Sequence, residues 1–274
     1  MDLYPSHIAS WPRPKLEAAI KRRVQTAYLG NGVVLARILG RHKMFLRTSD
    51  RGFACHVMLD GYWEMWLTQF LAACVKPGMT VIDVGANFGY YTLLLADAVG
   101  DKGQVVAVEP NPDTVALLNE TMLLNGFASR TKIVACALSD RAGTAWLFSP
   151  DGEPKNALLV GQPDLPGGKT TEVPTITLDA IALDLPRVDL VKIDAEGGEH
   201  GIVAGMMQLI ARDRPALMLE FNAARYADPV GFLQSLLDVY KSAQELTLDR
   251  GIAPLDAASV TETQSLEDRL LLFR

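Results

Sequence analysis

Apolar and polar positions fall into blocks along this chain, and the spacing inside each block predicts its element. Residues Leu16, Ile20, Val24, Ala27 and Tyr28 recur at helical spacing behind Pro12 and Pro14, which predicts a helix over 12–29 closed by Gly30-Asn31-Gly32. Short apolar runs then predict strands over 33–39, 44–48 and 53–59. Trp63, Trp66, Leu67, Phe70 and Leu71 predict a helix over 61–75, and Pro77-Gly78 punctuates the chain after it. From there the period alternates. Strands are expected over 80–84, 104–109, 131–137, 146–149, 173–177, 188–193 and 216–221, with final strands near 245–249 and 269–273. Helices are expected over 88–98, 112–125, 178–183, 199–212 and 229–241. Such alternation predicts an α/β fold with a mostly parallel sheet covered by helices on both faces. The division expected is a helical and β cap over 1–75 and a main domain over 76–274. The Gly- and Pro-rich stretch 150–169 reads as a mobile lid or a disordered insertion.

With 274 residues, 49% apolar and 21% charged, the chain can bury a sizeable core. Neither a secretory leader nor an apolar run long enough to span a membrane is recognisable. Cys55, Cys74 and Cys136 show no Cys-x-x-Cys spacing, so reduced thiols and a cytoplasmic location are expected. The net charge of −6 hides an asymmetry: residues 1–51 carry ten basic and three acidic side chains, the remainder sixteen and twenty-nine. The acidic body argues against a nucleic-acid partner. The basic segment, including Arg37, Arg41, Lys43 and Arg47, suits an anionic or membrane-proximal acceptor, or a solvated face. A homo-oligomer is compatible with all of this.

Candidate chemistry begins at Thr-Val-Ile-Asp-Val-Gly-Ala-Asn-Phe-Gly, residues 80–89. A buried strand ends in Asp83 and runs through Gly85 and Gly89 into a helix whose first N–H groups lack partners. Asn87 stands where a dinucleotide fingerprint has its second glycine, which argues against a pyrophosphate and for a ligand with an amine and a carboxylate, such as S-adenosylmethionine (SAM). A second strand ends at Glu109-Pro110, and an acid there can accept both hydroxyls of a ribose. Further on, Val-Lys-Ile-Asp194-Ala-Glu196-Gly-Gly-Glu199-His200 gathers carboxylates at a strand end. Holding them together calls for a cation, a proton or a substrate hydroxyl. Glu199 reads better as a partner of its own helix N-terminus.

The segments at 81–92, 108–112, 137–140 (Ala-Leu-Ser-Asp), 177–179 (Thr-Leu-Asp), 191–199 and 219–221 (Leu-Glu-Phe) together resemble the ordered motifs of FkbM-type SAM-dependent methyltransferases, over roughly 60–222. The resemblance implies a Rossmann-like class I methyltransferase with a seven-stranded sheet, acting by O-methylation on a sugar, glycan or glycosylated natural product. It also implies that Asp83, Gly85, Asn87 and Gly89 hold the methionine end of SAM, Glu109 the ribose and the Ala137 region the adenine, with Glu64 at the family's Gly-x-x-Glu entry. Missing motifs sharpen this. No Asn/Asp-Pro-Pro-aromatic follows the fourth strand, and no Tyr-x-x-x-Lys occurs.

Methylating a hydroxyl requires removal of its proton. Asp194 is the first candidate base, assisted by Glu196 or Glu220, with His200 a rival. Asp194, Glu220 and Asn222 offer an alternative oxygen site for Mg²⁺, possible but not favoured. A SAM-binding protein without catalysis and a nucleotide-dependent oxidoreductase are the competing readings.

Overall fold

Thr80–Val84 (β4) is buried at every position, as a β-branched strand flanked on both sides must be. In this computed structural model, which describes residues 2–152, 157–163, 165–249, 251–263 and 267–274, β4 lies near the middle of an eight-stranded sheet. Before it come helices α1 (Pro5–Ser10) and α2 (Arg13–Lys21) and strands β1 (Thr26–Gly30), β2 (Val33–Ile38) and β3 (His42–Arg47). Helices α3 (Phe53–Asp60) and α4 (Met65–Cys74) follow. After β4 the chain runs through α5 (Tyr90–Val99), β5 (Gln104–Val108), α6 (Pro112–Leu124), β6 (Thr131–Val134), β7 (Ala137–Leu138), β8 (Gly143–Pro150), β9 (Leu158–Val160) and β10 (Gly168–Ile176). It continues through α7 (Leu178–Ala182), β11 (Leu190–Ile193), α8 (Glu199–Ala204), α9 (Met207–Asp213), β12 (Ala216–Phe221) and α10 (Pro229–Val239). Strands β13 (Ala243–Thr247) and β14 (Gly251–Pro254), helix α11 (Ala257–Val260) and strand β15 (Arg269–Phe273) complete it.

The main sheet has the order β14-β13-β15-β12-β11-β4-β5-β6. Strands β6, β5, β4, β11 and β12 are mutually parallel, and β15 enters antiparallel between β12 and β13. Without the edge strand β14, seven strands remain, as many as the resemblance implies. The order reverses between β4 and β11, so a crevice opens over their carboxyl ends. A second sheet, β7-β10-β8-β9, stands beside it, and β1, β2 and β3 form an antiparallel sheet of their own. Leu16, Ile20, Met44 and Leu46 of the first fifty residues share one hydrophobic core with Leu93, Leu94 and Val105.

Several elements differ from expectation. Residues 26–29 are strand rather than helix. Gly30, Asn31 and Gly32 all take positive φ and turn the chain back as a hairpin, so Tyr28 and Leu29 lie exposed. Residues 53–59 are helix rather than strand, because Asp50 Oδ1 accepts the N–H groups of Phe53 (2.9 Å) and Ala54 (3.2 Å). The helix expected from Gly61 starts at Met65, leaving 61–64 as a loop that turns through Glu64 at φ 36°. The run 131–137 is cut: β6 ends at Val134, and Ala137–Leu138 joins the second sheet. The helix over 199–212 breaks at Gly205, where a Cβ would collide with the carbonyl oxygen of Ser139. Of 150–169, Pro150 ends β8, Leu158–Val160 form β9 and Gly168 and Lys169 open β10, while the other described residues are turn or loop; residues 153–156 and 164 lie outside the described residues. Strand β14 and helix α11 carried no clear signal. No helix among the described residues is long and apolar enough to cross a membrane.

Candidate active site

A cavity of about 890 Å³ sits in the crevice over β4 and β11. Eight of the ten expected site residues line it: Glu64, Gly85, Asn87, Glu109, Ala137, Asp194, Glu196 and Glu220. Asp83 and Gly89 do not. Asp83 is fully buried beneath the turn; its Oδ2 accepts from Thr92 Oγ1 (2.7 Å) and its Oδ1 lies 3.4 Å from Lys192 Nζ. Gly89, at φ 94°, lets the start of α5 press on α6, since a Cβ there would run into Leu118. Gly85 has φ 74°, and a Cβ on it would collide with the carbonyl oxygen of Asp194. The space this glycine clears is filled by the neighbouring strand end, not by a ligand.

Glu109 closes one side. Its Oε2 accepts the N–H of Asn87 (2.8 Å) and its Oε1 that of Asn111 (2.9 Å). Burial pushes its pKa up to about 7 despite those bonds, with Asp83 and Asp194 adding to the rise. Beyond it, Cys136, Ala137, Leu138 and Leu147 form an apolar wall. Elsewhere in the lining, Glu64 Oε2 accepts the hydroxyl of Tyr91 (2.6 Å), and Phe53 and Trp63 stand edge to face with centroids 5.3 Å apart.

Another part of the lining is acidic. One carboxylate oxygen from each of Asp194, Glu196 and Glu220 falls within a 4.8 Å cluster. Arg225 spans this group, with ion pairs to Glu196 (2.9 Å), Glu220 (3.1 Å) and Asp268 (3.2 Å). Burial, then Asp194, Asp268 and Glu196, push Glu220 up to about 9, against the pull of Arg225. Neutral Glu220 is therefore the main form at pH 7 and can donate a hydrogen bond. The folded protein holds this proton to a higher pH than the unfolded chain, so its contribution to stability is complete below about 4.5 and disappears as pH rises through about 9. Glu220→Gln should therefore flatten the fall in melting temperature between pH 6 and pH 9 in calorimetric scans. A fall as steep as in the wild type would mean that the proton sits elsewhere.

The Mg²⁺ grouping expected from the sequence is rearranged. Asn222 is buried and used otherwise: its Oδ1 accepts the N–H of Ala224 (3.1 Å) and its amide donates to Asp268 (2.9 Å). Glu196 takes its place beside Asp194 and Glu220. The exposed His200 does not line the cavity, and its ring meets Phe232 edge-on at 5.0 Å. Glu199 is structural, its Oε1 accepting from Ala195 and Gly197 and its Oε2 from Tyr226. Arg41 is paired with Asp97 and stacked on Tyr4. Three charged groups of the site were missed, Lys192, Arg225 and Asp268. A lysine inside an otherwise apolar central strand, one strand away from Asp83, was a readable signal; Arg225 ends a single 3-10 turn after β12 and offered none.

The model of the FkbM methyltransferase domain matches residues 83–246. The chain belongs to the FkbM-type SAM-dependent methyltransferases. Among its relatives is the 31-O-demethyl-FK506 methyltransferase FkbM of Streptomyces tacrolimicus, 27% identical over 217 residues, 67% of this chain and 76% of that protein. The 2-O-methyltransferase NoeI of Sinorhizobium fredii is 26% identical over 190 residues, 64% of this chain and 76% of that one. A solved FkbM methyltransferase from Methylobacillus flagellatus superposes with a TM-score of 0.48 and 18% identity, covering 72% of this chain and 44% of that one.

The cavity's chemistry fits SAM. Six carboxylates and two basic groups line it, an excess of negative charge that suits a sulfonium and an ammonium and repels a pyrophosphate. Its volume lies within the range of about 300–1,000 Å³ usual for small-molecule sites.

Proposed function

We propose that this methyltransferase transfers the methyl group to a hydroxyl oxygen of a sugar or of a glycosylated natural product. The reading rests on one observation above all: Asp194, Glu196 and Glu220 bring carboxyl oxygens within 4.8 Å of one another in the same cavity that Glu109 and Gly85 line. In this reading Glu109 accepts the ribose hydroxyls, the wall at Ala137 covers the adenine, and the side near Glu64 and Asn87 takes the methionine end. Bound SAM would supply an electrophilic methyl on a sulfonium. Asp194 accepts the proton of the acceptor hydroxyl, and neutral Glu220 donates a hydrogen bond that orients it. Arg225 fixes Glu196 and Glu220, and the rings of Phe53 and Trp63 offer apolar faces of the kind a sugar covers. The names of the two relatives, both O-methyltransferases, support oxygen as the accepting atom.

Arg225 also bears on the metal question. It already pairs with Glu196 and Glu220, two of the three side chains that a cation would use, which favours proton transfer to Asp194 over metal catalysis. The test is transfer from tritiated SAM to a panel of mono- and oligosaccharides and glycosylated macrolides, with matched amines and thiols. Labelled methyl ethers support the proposal; label confined to amines or thiols would overturn it.

A further inference from the structure

Lys192 is a charged side chain of the cavity that the mechanism above leaves unused, although it lies on a central strand of the main sheet. It is 1% exposed in the middle of β11, directly opposite Asp83 of β4 in register. Neighbours in register on parallel strands project to the same face, so the lysine and the aspartate meet side by side. Lys192 Nζ lies 3.4 Å from Asp83 Oδ1 and 3.4 Å from Asp194 Oδ2, and 5.0 Å from the centre of the Tyr91 ring. The hydroxyl of Tyr91 in turn donates to Glu64. Asp83 Oδ1 is buried and has no hydrogen bond, so the lysine's charge is its compensation.

A buried ammonium is costly unless paired, and a pair of this kind is weak evidence for stability alone. Here the burial penalty is outweighed by Asp194, Asp83, Glu220 and Glu64, and the ammonium keeps its proton. It is therefore no proton acceptor. It is a fixed cation joining two places: the strand end beneath the Gly85 turn, and the carboxylate on the acceptor side.

We infer that Lys192 is a positioning residue for methyl transfer, holding Asp194 at a set place relative to the turn that carries the methyl donor. This rests on the reading of Asp194 given above. The cation, anchored by Asp83 from below, leaves Asp194 one orientation in the cavity, with Oδ2 held and Oδ1 left for the acceptor. Displacing a reacting group by about 1 Å can cost about 10²-fold in rate.

Removing the cation alone leaves Asp83 buried and unpaired, so Lys192→Met can fail by unfolding. The double variant Asp83→Asn/Lys192→Met removes both buried charges and keeps the experiment decisive. Its melting temperature and its affinity for S-adenosylhomocysteine should remain close to wild type, while kcat falls about 10²-fold on the saccharide acceptor that the wild type methylates best. A crystal structure of the double variant with S-adenosylhomocysteine should show the Asp194 carboxylate turned away from its wild-type place. Wild-type kcat together with an unmoved Asp194 would overturn the proposal. Asp194→Asn measured alongside keeps the two readings apart. If it is inactive while the double variant is fully active, only Lys192 loses its role; if Asp194→Asn is fully active, the reading of Asp194 itself falls.

Discussion

Asp194→Asn should bind S-adenosylhomocysteine as the wild type does and lose about 10²–10⁴-fold in kcat, the usual share of general-base catalysis. The substitution keeps the shape of the side chain and removes the negative charge at the end of β11, where the carboxylate lines the cavity beside Glu196 and Glu220. Calorimetry with S-adenosylhomocysteine and initial rates on the same preparation separate the two effects. The wild type should keep full activity in a chelator. Activity abolished by the chelator and restored by added Mg²⁺ would make the three carboxylates a metal site instead, against the reading drawn from the Arg225 pairs with Glu196 and Glu220. Full activity of Asp194→Asn would move the search for the base to Glu196 and Glu220.

Glu109→Ala should weaken SAM by about 1.5–3 kcal/mol, the scale of hydrogen bonds to a charged group. The pH dependence makes this prediction stronger. In the free protein Glu109 titrates near 7, pushed up by burial. Accepting two ribose hydroxyls calls for the ionised form, so binding must release a proton at lower pH. Affinity should be level above about pH 7 and fall below it by up to about tenfold per pH unit, since one unit of pH is worth about 1.36 kcal/mol per proton. In Glu109→Gln that slope should vanish. Wild-type affinity in Glu109→Ala, or a slope surviving in Glu109→Gln, would place the ribose elsewhere.

Much of the sheet could be read from the chain because its central strands are short, β-branched runs bounded by Gly, Pro and Asp. Strands β12 and β15 match their expected bounds, and β4 does so to the residue. The errors cluster where tertiary contacts decide the local structure. Residues 53–59 are apolar and β-prone enough to read as a strand, but a buried Asp50 caps them as a helix. Thr26–Gly30 continues a helical stripe in sequence, yet three successive positive φ angles behind it impose a hairpin.

The site divides the same way. Glu109, Asp194 and Glu220 were readable because strand parity carries acids to the edge where parallel sheets bind ligands. What Gly85 makes room for was not, because the atom it admits, the Asp194 carbonyl oxygen, lies over a hundred positions away in sequence. Arg225 was invisible for a similar reason. It joins Glu196, Glu220 and Asp268 from three separate segments, and no local spacing reports such a meeting.

The central claim is that one cavity holds the methyl donor between Glu109 and Asp194. A crystal structure of the wild-type protein with S-adenosylhomocysteine tests it most directly. The account predicts both ribose hydroxyls on the Glu109 carboxylate, the adenine against Ala137 and Leu138, and the sulfur facing Asp194. S-adenosylhomocysteine bound with its ribose away from Glu109, or with its sulfur turned from Asp194, would contradict it.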